Sequence, residues 1–167
     1  MRRLSAAAGT SLFFALAPGV VAGVIPWLLT RWEVRDRYWL PVRLLGAVMI
    51  ATGALALLHS FARFVSEGVG TPAPVAPTER LVVGGLYRHV RNPMYLAVIA
   101  AIVGQAVLLG RPVLLEYGAF VTGAFVAFVR LYEERTLADR YGGEYEIYRR
   151  EVPGWRPRLR PWTRPEN

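Results

Sequence analysis

Residues 92–129 read NPMYLAVIAAIVGQAVLLGRPVLLEYGAFVTGAFVAFV, and this stretch decides the fold. Two apolar runs lie on either side of Gly110-Arg111-Pro112, and Glu116 is the one further charged residue between its ends. About 20 helical residues cross a hydrocarbon core about 30 Å thick, so each run spans a membrane when its flanks are included. A connection this short predicts a tight antiparallel hairpin of two helices. Both outer ends of the hairpin are therefore expected at the same membrane surface.

Two further apolar runs precede the hairpin, and residues 4–30 and 44–62 carry no charge. The chain is 54% hydrophobic and 19% charged, which is too apolar for an ordinary soluble domain of 167 residues. Buried backbone groups in lipid need internal partners, and the runs lack the alternation of barrel strands, so helices are expected. We predict an all-α polytopic membrane protein with about four transmembrane helices and a short cytoplasmic C-terminal helical segment. The predicted spans are residues 8–30, 40–62, 94–110 and 112–131.

The first run has a second interpretation, a secretory signal, because Met1-Arg2-Arg3 precedes it. Signal peptides have an apolar region of about 7 to 15 residues, and this run is far longer, so a retained span is favoured. All 20 basic residues are Arg, and with four spans fifteen of them fall on the side of both termini. The positive-inside rule then predicts cytoplasmic termini, although four arginines in the first loop oppose it.

The loop over residues 65–78 is rich in Pro and Gly and is predicted to be extended and irregular. Asn92 and Pro93 suit the cap and the first position of the third helix. The fourth helix is expected to continue past the membrane until Gly142-Gly143, and an amphipathic piece over residues 144–151 follows. The final Arg-rich and Pro-rich segment is predicted to be extended and to lie at the membrane interface.

Two polar clusters flank the hairpin, one over residues 85–95 and one over residues 130–134. The hairpin brings them to one surface, where they are expected to share a pocket. Adjacent helical residues point about 100° apart, so only one of Glu133 and Glu134 is expected to face a small pocket. The chemistry alone also allows a surface ion pair between Arg130 and Glu134, at i and i+4, and an interfacial belt of Tyr and Arg. Likewise, a lipid headgroup satisfies the cationic run as well as a bound ligand does.

Two motifs carry a family resemblance. The first is Gly85-Leu86-Tyr87 followed by Arg91-Asn92-Pro93-Met94-Tyr95, and the second comprises Glu133-Glu134, Tyr141-Gly142, Tyr145-Glu146-Ile147-Tyr148 and Val152-Pro153. In this order they resemble the signatures of membrane methyltransferases related to isoprenylcysteine carboxyl methyltransferase, with phospholipid N-methyltransferases as relatives. The resemblance covers roughly residues 68–157. Two positions depart from the family pattern, since Asn92 replaces the usual His and Ala97 stands where many members have Gly.

The resemblance implies one membrane methyltransferase domain over residues 1–167, with S-adenosylmethionine as the donor and no metal. The cofactor-binding region is expected over residues 68–95 and 130–157. The implied cofactor-binding residues are Tyr87, Arg88, His89, Arg91, Asn92, Pro93, Tyr95, Glu133, Glu134, Tyr145 and Tyr148. The implied catalytic residues are Glu134 and Arg130, whose family counterpart is implicated in holding the methyl acceptor. Methyl transfer from a sulfonium is an in-line displacement that mainly requires positioning, so this residue set suffices.

The expected acceptor is lipophilic, an isoprenylcysteine-type carboxylate or similar, with a phospholipid amine or a small thiol as alternatives. An amine acceptor also needs a base such as His89 or a glutamate. The rival class is a small membrane transporter or scaffold, but a transporter favours charge near the bilayer middle and these charges lie at helix ends. The expected partners are the lipophilic substrate and membrane lipids, with no nucleic acid and no obligate protein partner. The expected location is the bacterial inner membrane, with the active site cytoplasmic.

Overall fold

The computed structural model describes residues 17–36, 38–68 and 80–163. These residues form helices and no strand, which confirms the all-α prediction. The helices are α1 (Ala17–Thr30), α2 (Leu40–Arg63), α3 (Pro93–Leu109), α4 (Val113–Tyr141) and α5 (Gly143–Glu151). A 3₁₀ turn forms at Gly85–Arg88, and π-helical turns form at Val20–Val24, Phe64–Gly68 and Val129–Glu133.

Two of these helices, α2 and α4, are long and apolar enough to cross a membrane, whereas α1 and α3 are shorter apolar helices. The span predicted over residues 40–62 corresponds to α2 and that over 94–110 to α3. The span predicted over 112–131 is the first part of α4, which continues to Tyr141 as expected. The first predicted span, over residues 8–30, lies partly outside the described residues, and the count of four crossings stays a prediction.

The hairpin of α3 and α4 forms as predicted. Gly110 ends α3 with φ of 63°, a left-handed conformation that glycine adopts without steric cost. Pro93 occupies the first turn of α3, as expected. Asn92 occupies the N-cap position, as expected, although its side chain makes no capping hydrogen bond and its amide lies beside Gly154 instead.

The predicted loop over residues 65–78 is also corrected at its start, because the chain stays helical through Gly68. The carboxylate of Glu67 explains this extra turn. It accepts hydrogen bonds from the Arg63 guanidinium at 2.8 Å and from the Gly84 backbone N–H at 3.0 Å. The end of α2 is thus tied to the segment that leads into α3, while residues 69–79 lie outside the described part of the chain.

Small residues bring α2 and α3 close together. A methyl group added at Gly53 would lie 2.7 Å from the Ala97 carbonyl oxygen, and one added at Gly46 would lie 2.7 Å from the Gly104 carbonyl oxygen. Helices in lipid associate through such close backbone contacts because lipid tails offer no hydrophobic penalty to exposed apolar side chains. The buried cluster of Leu57, Phe61, Ala97, Val98, Ile102 and Val121 fills the remaining space between α2, α3 and α4.

The opposite ends of the helices are joined by polar contacts to α1. Gln105 of α3 donates a hydrogen bond to the Ala22 carbonyl of α1 at 2.8 Å. Tyr117 donates to the Val21 carbonyl at 2.9 Å. Both acceptors lie in the π-helical turn of α1, where the normal helical pairing is altered. These two bonds tie α1 to α3 and α4 at one end of the bundle. The polar clusters lie at the other end.

Candidate active site

Arg91 occupies the centre of the polar end of the bundle. Its Nη1 donates to Glu134 Oε1 at 2.8 Å and to the Tyr145 hydroxyl at 3.0 Å. Its Nε donates to the Val152 carbonyl at 2.9 Å, and its backbone N–H donates to the Pro153 carbonyl at 3.0 Å. The side chain is only 14% exposed. One arginine therefore joins the start of α3 to α4, to α5 and to the segment beyond α5.

That segment, residues 152–163, is called the strap below. Its backbone pairs with the run that precedes α3, because the N–H of Arg158 donates to the His89 carbonyl and that of Trp162 donates to the Arg88 carbonyl, both at 2.9 Å. The side chains add to this pairing. Arg88 Nε donates to the Trp162 carbonyl at 2.7 Å, and His89 Nδ1 lies 2.8 Å from the Arg158 carbonyl oxygen.

The two adjacent glutamates differ in their partners. Glu134 pairs with Arg91 and also lies 3.4 Å from Arg149 Nη2, so two guanidinium groups balance its charge. Glu133 accepts a 2.8 Å hydrogen bond from the Tyr95 hydroxyl and forms no ion pair with the other residues that the structure describes. Of the two carboxylates, Glu133 is thus the one left without a cationic partner.

A cavity lies between these elements. Its lining residues are Phe64, Leu81, Val82, Tyr87, Arg91, Asn92, Val129, Glu133, Glu134, Leu137, Tyr141, Tyr145 and Tyr148. The structure brings residues 87–92 and 133–148 together around it, as the hairpin argument predicted. The prediction that only one glutamate could face the pocket is wrong. Both Glu133 and Glu134 line the cavity, and a π-helical turn ends at Glu133, where the spacing of side chains departs from that of a regular α-helix.

Five of the implied site residues lie outside the lining. Pro93 is buried at the start of α3, and Tyr95 reaches the cavity only through Glu133. Arg88 and His89 bond the strap, and the side chain of Arg130 is exposed. The π-helical turn explains why the side chain of Arg130 lies outside the cavity. Residues i and i+4 do not share a face there, so Arg130 and Glu134 are not on the same side of the helix as expected. The roles of these five residues in binding the cofactor or the acceptor stay predictions.

Burial keeps three tyrosines of the cavity, Tyr87, Tyr145 and Tyr148, neutral. Burial raises the pKa of Tyr87 well above its ordinary value, and nearby Tyr148 and Glu133 raise it further. Burial also raises the pKa of Tyr145 and of Tyr148, although Arg91 opposes this in both cases. These three residues therefore offer aromatic faces rather than phenolate bases, and the Tyr148 hydroxyl already donates to the Tyr87 carbonyl oxygen at 2.6 Å. No cluster of three potential metal ligands occurs among the described residues.

Sequence reasoning missed the apolar half of the lining. The part of the lining that α4 supplies does have a signal in the sequence. It includes Val129, Glu133 and Leu137, which are four residues apart and therefore lie along one side of a helix. Phe64 belongs to the helical turn that was predicted to be loop, and its ring meets that of Tyr87 edge-on with the centroids 5.6 Å apart. The sequence gives no signal for the hydrogen bonds between the strap and residues 88–91. Their acceptors are backbone carbonyls, which every residue has.

A comparison with protein families gives a match to the phospholipid methyltransferase family over residues 42–144. The chain belongs to this family. The match runs from the first turn of α2 to the start of α5, and it includes Arg91, Glu133 and Glu134. As a member of the phospholipid methyltransferase family with two helices suited to crossing a bilayer, the protein is a membrane methyltransferase. Neither the comparison with curated proteins nor that with solved structures gave a match.

Proposed function

We propose that the chain transfers a methyl group from S-adenosylmethionine to a lipophilic acceptor in the membrane. The observation that carries this proposal is Glu133, a carboxylate in the cavity wall with a neutral tyrosine as its hydrogen-bond partner. Among the charged residues of the lining, Arg91 and Glu134 pair with each other, whereas Glu133 forms no ion pair with the described residues. Burial raises the pKa of the Glu133 carboxyl group, because the ionised form is desolvated. A partly desolvated negative charge favours a cationic ligand.

The donor fits this charge pattern. S-adenosylmethionine supplies an electrophilic methyl group on a sulfonium, and it also carries an ammonium, a carboxylate and an adenine. Glu133 is the group in the lining that can receive the positive part of the molecule. Tyr87 and Tyr148 offer aromatic faces for the sulfonium or the adenine ring.

A second feature suits the carboxylate of the donor. Arg91 Nη2 and Asn92 Nδ2 would lie 3.2 and 3.5 Å from a methyl group added at Gly154, so both nitrogens border the space that the missing side chain leaves. Asn92 is 7% exposed, and its Nδ2 has no hydrogen-bond partner. A buried donor without a partner costs free energy, and a bound carboxylate there would remove that cost. The amide of Asn92 supplies this donor at any pH, unlike the His usual in the family.

A lipid amine is the acceptor that the charge of the cavity supports best. Its nitrogen must lose its proton before it attacks, and Glu133 is the lining carboxylate that forms no ion pair with the described residues and whose pKa burial raises, as suits a proton acceptor. The ring of His89, the other base considered, bonds the strap and lies outside the lining. Methylation of a phospholipid amine agrees with the name of the family.

A carboxylate acceptor is the second candidate, because of Arg130. Its side chain is exposed on α4 three residues before Glu133, and it forms no ion pair with the described residues. It could therefore orient a lipidic carboxylate, and an Arg130→Lys change would then lower turnover by loss of the planar fork. For an amine acceptor, we expect Arg130→Lys to keep its activity.

Calorimetric titration of the purified protein with S-adenosylmethionine tests the donor. We expect saturable binding that weakens at least tenfold in Glu133→Gln, since the uncompensated charge is lost. Glu151→Gln is the matched control, because Glu151 is an exposed acid outside the cavity, and it should bind as the wild type does. Absence of heat in the wild type would favour the transporter or scaffold.

Transfer of labelled methyl into a membrane lipid extract tests the acceptor. A methylated amine keeps its label in mild alkali, whereas a methyl ester releases it as methanol. We expect a product whose label stays non-volatile after alkaline treatment, and Arg130→Lys should still form it. An alkali-labile product that Arg130→Lys fails to form would instead assign the carboxylate.

A further inference from the structure

The strap has one face that the methyltransferase proposal does not use. Val152 and Trp162 are buried against α5, and the Trp162 ring packs on Tyr148 with centroids 5.4 Å apart. The other face carries Arg156, Leu159 and Arg160, all exposed. Leu159 is 97% exposed, the highest value among the exposed large hydrophobic residues of the described chain.

The strap lies at the level where α3 enters its apolar stretch. It bonds residues 88–91, which end two positions before α3 begins at Pro93. In addition, the Trp155 ring contacts that of Tyr95, in the first turn of α3, with centroids 6.2 Å apart. The outer face of the strap is thus held beside the end of an apolar helix rather than far from it.

The composition of the strap matches an anionic surface. Residues 152–163 contain three arginines and no acidic residue. A fully exposed leucine between arginines is typical of segments that place an apolar side chain at the boundary of headgroups and acyl chains while guanidinium groups meet phosphates. Nucleic acid also has phosphates, but it has no layer of acyl chains. It would therefore give no reason for the full exposure of the Leu159 side chain.

We propose that Arg156, Leu159 and Arg160 form a docking surface for the anionic lipid leaflet. The leucine enters the interface, and the two guanidinium groups contact lipid phosphates. Each arginine near an anionic leaflet contributes about fivefold in affinity, so removal of both should lower the ratio of docked to undocked strap roughly 25-fold.

The experiment uses the absence of cysteine in the natural chain. Leu159→Cys, labelled with an environment-sensitive fluorophore, is placed in nanodiscs of phosphatidylcholine alone or of phosphatidylcholine mixed with phosphatidylglycerol. We expect blue-shifted emission in the mixed lipid, and the shift should diminish in high salt. Ile147→Cys, an exposed apolar position of α5, is the control site and should respond less. No shift at position 159, or an equal shift at position 147, would overturn the proposal.

Two further measurements test whether the shift depends on the arginines of the strap or on the total positive charge of the protein. Arg156→Gln with Arg160→Gln should abolish the shift, whereas Arg135→Gln with Arg150→Gln removes the same charge elsewhere on the exposed surface and should keep it. Inorganic phosphate added to phosphatidylcholine nanodiscs should have no effect. Equal losses in the two double variants, or a shift produced by phosphate alone, would contradict a lipid surface. Unchanged thermal unfolding of each variant verifies that it is folded.

Discussion

Glu133 and Glu134 are the same residue type in adjacent positions, but their partners divide them into two roles. Glu134 is held by Arg91 and Arg149, which makes it part of the framework. Among the described residues, Glu133 is held by a hydrogen bond from the Tyr95 hydroxyl and by no ion pair. The two adjacent acids therefore differ in their contacts: Glu134 belongs to the framework, and Glu133 is the one that we propose binds the donor. Stability measurements can separate them.

We predict that Glu134→Gln lowers the thermal stability of the donor-free protein and that Glu133→Gln does not. Removal of one partner of a buried ion pair costs about 3 to 5 kcal/mol, and the lower end applies here because both side chains keep some exposure to solvent. Circular dichroism of the unliganded variants in detergent measures this directly. Equal melting temperatures for the two variants would show that the ion pair with Arg91 does not stabilise the fold.

At the scale of elements, the strap and the π-helical turn of α4 shape the cavity. The turn at Val129–Glu133 aims both glutamates at it, and the strap supplies the carbonyls that fix Arg91. At Gly154 the missing side chain leaves space in the strap beside the side chains of Arg91 and Asn92.

We predict that Gly154→Ala lowers kcat/KM about tenfold, because a methyl group 3.2 Å from Arg91 Nη2 forces the guanidinium to shift, and small displacements in a binding site are costly. The KM for the donor should rise in step. Gly143→Ala is the matched control, since a methyl group there has no neighbour within 4 Å. If the two alanine variants have the same kinetics, the space beside Gly154 has no part in binding.

At the scale of the whole molecule, the cavity lies at one end of the bundle and the contacts of Gln105 and Tyr117 with α1 lie at the other. Fifteen of the 20 arginines belong to the cavity side if four helices cross the membrane. The positive-inside rule then predicts that this side is cytoplasmic.

We predict that the two ends have opposite accessibility in cells. Asp139→Cys, on the exposed end of α4, should react with a membrane-impermeant maleimide only in inverted vesicles. Glu33→Cys, whose side chain is 76% exposed on the opposite side, should react only in intact spheroplasts. Labelling of both from the same side would reject the proposed topology, and the reverse pattern would place the cavity outside.

The amino-acid sequence by itself determined the helices, the hairpin turn and the meeting of the two polar clusters, because apolar length and helix-breaking residues act locally along the chain. It also indicated seven of the residues in the cavity wall. Only the tertiary structure decided that Glu133 keeps its charge free, that Arg130 points outward and that the strap holds Arg91. These outcomes depend on a π-helical turn and on bonds to backbone carbonyls far along the chain, such as the bond from Arg91 to Val152, 61 positions away, none of which a local pattern encodes.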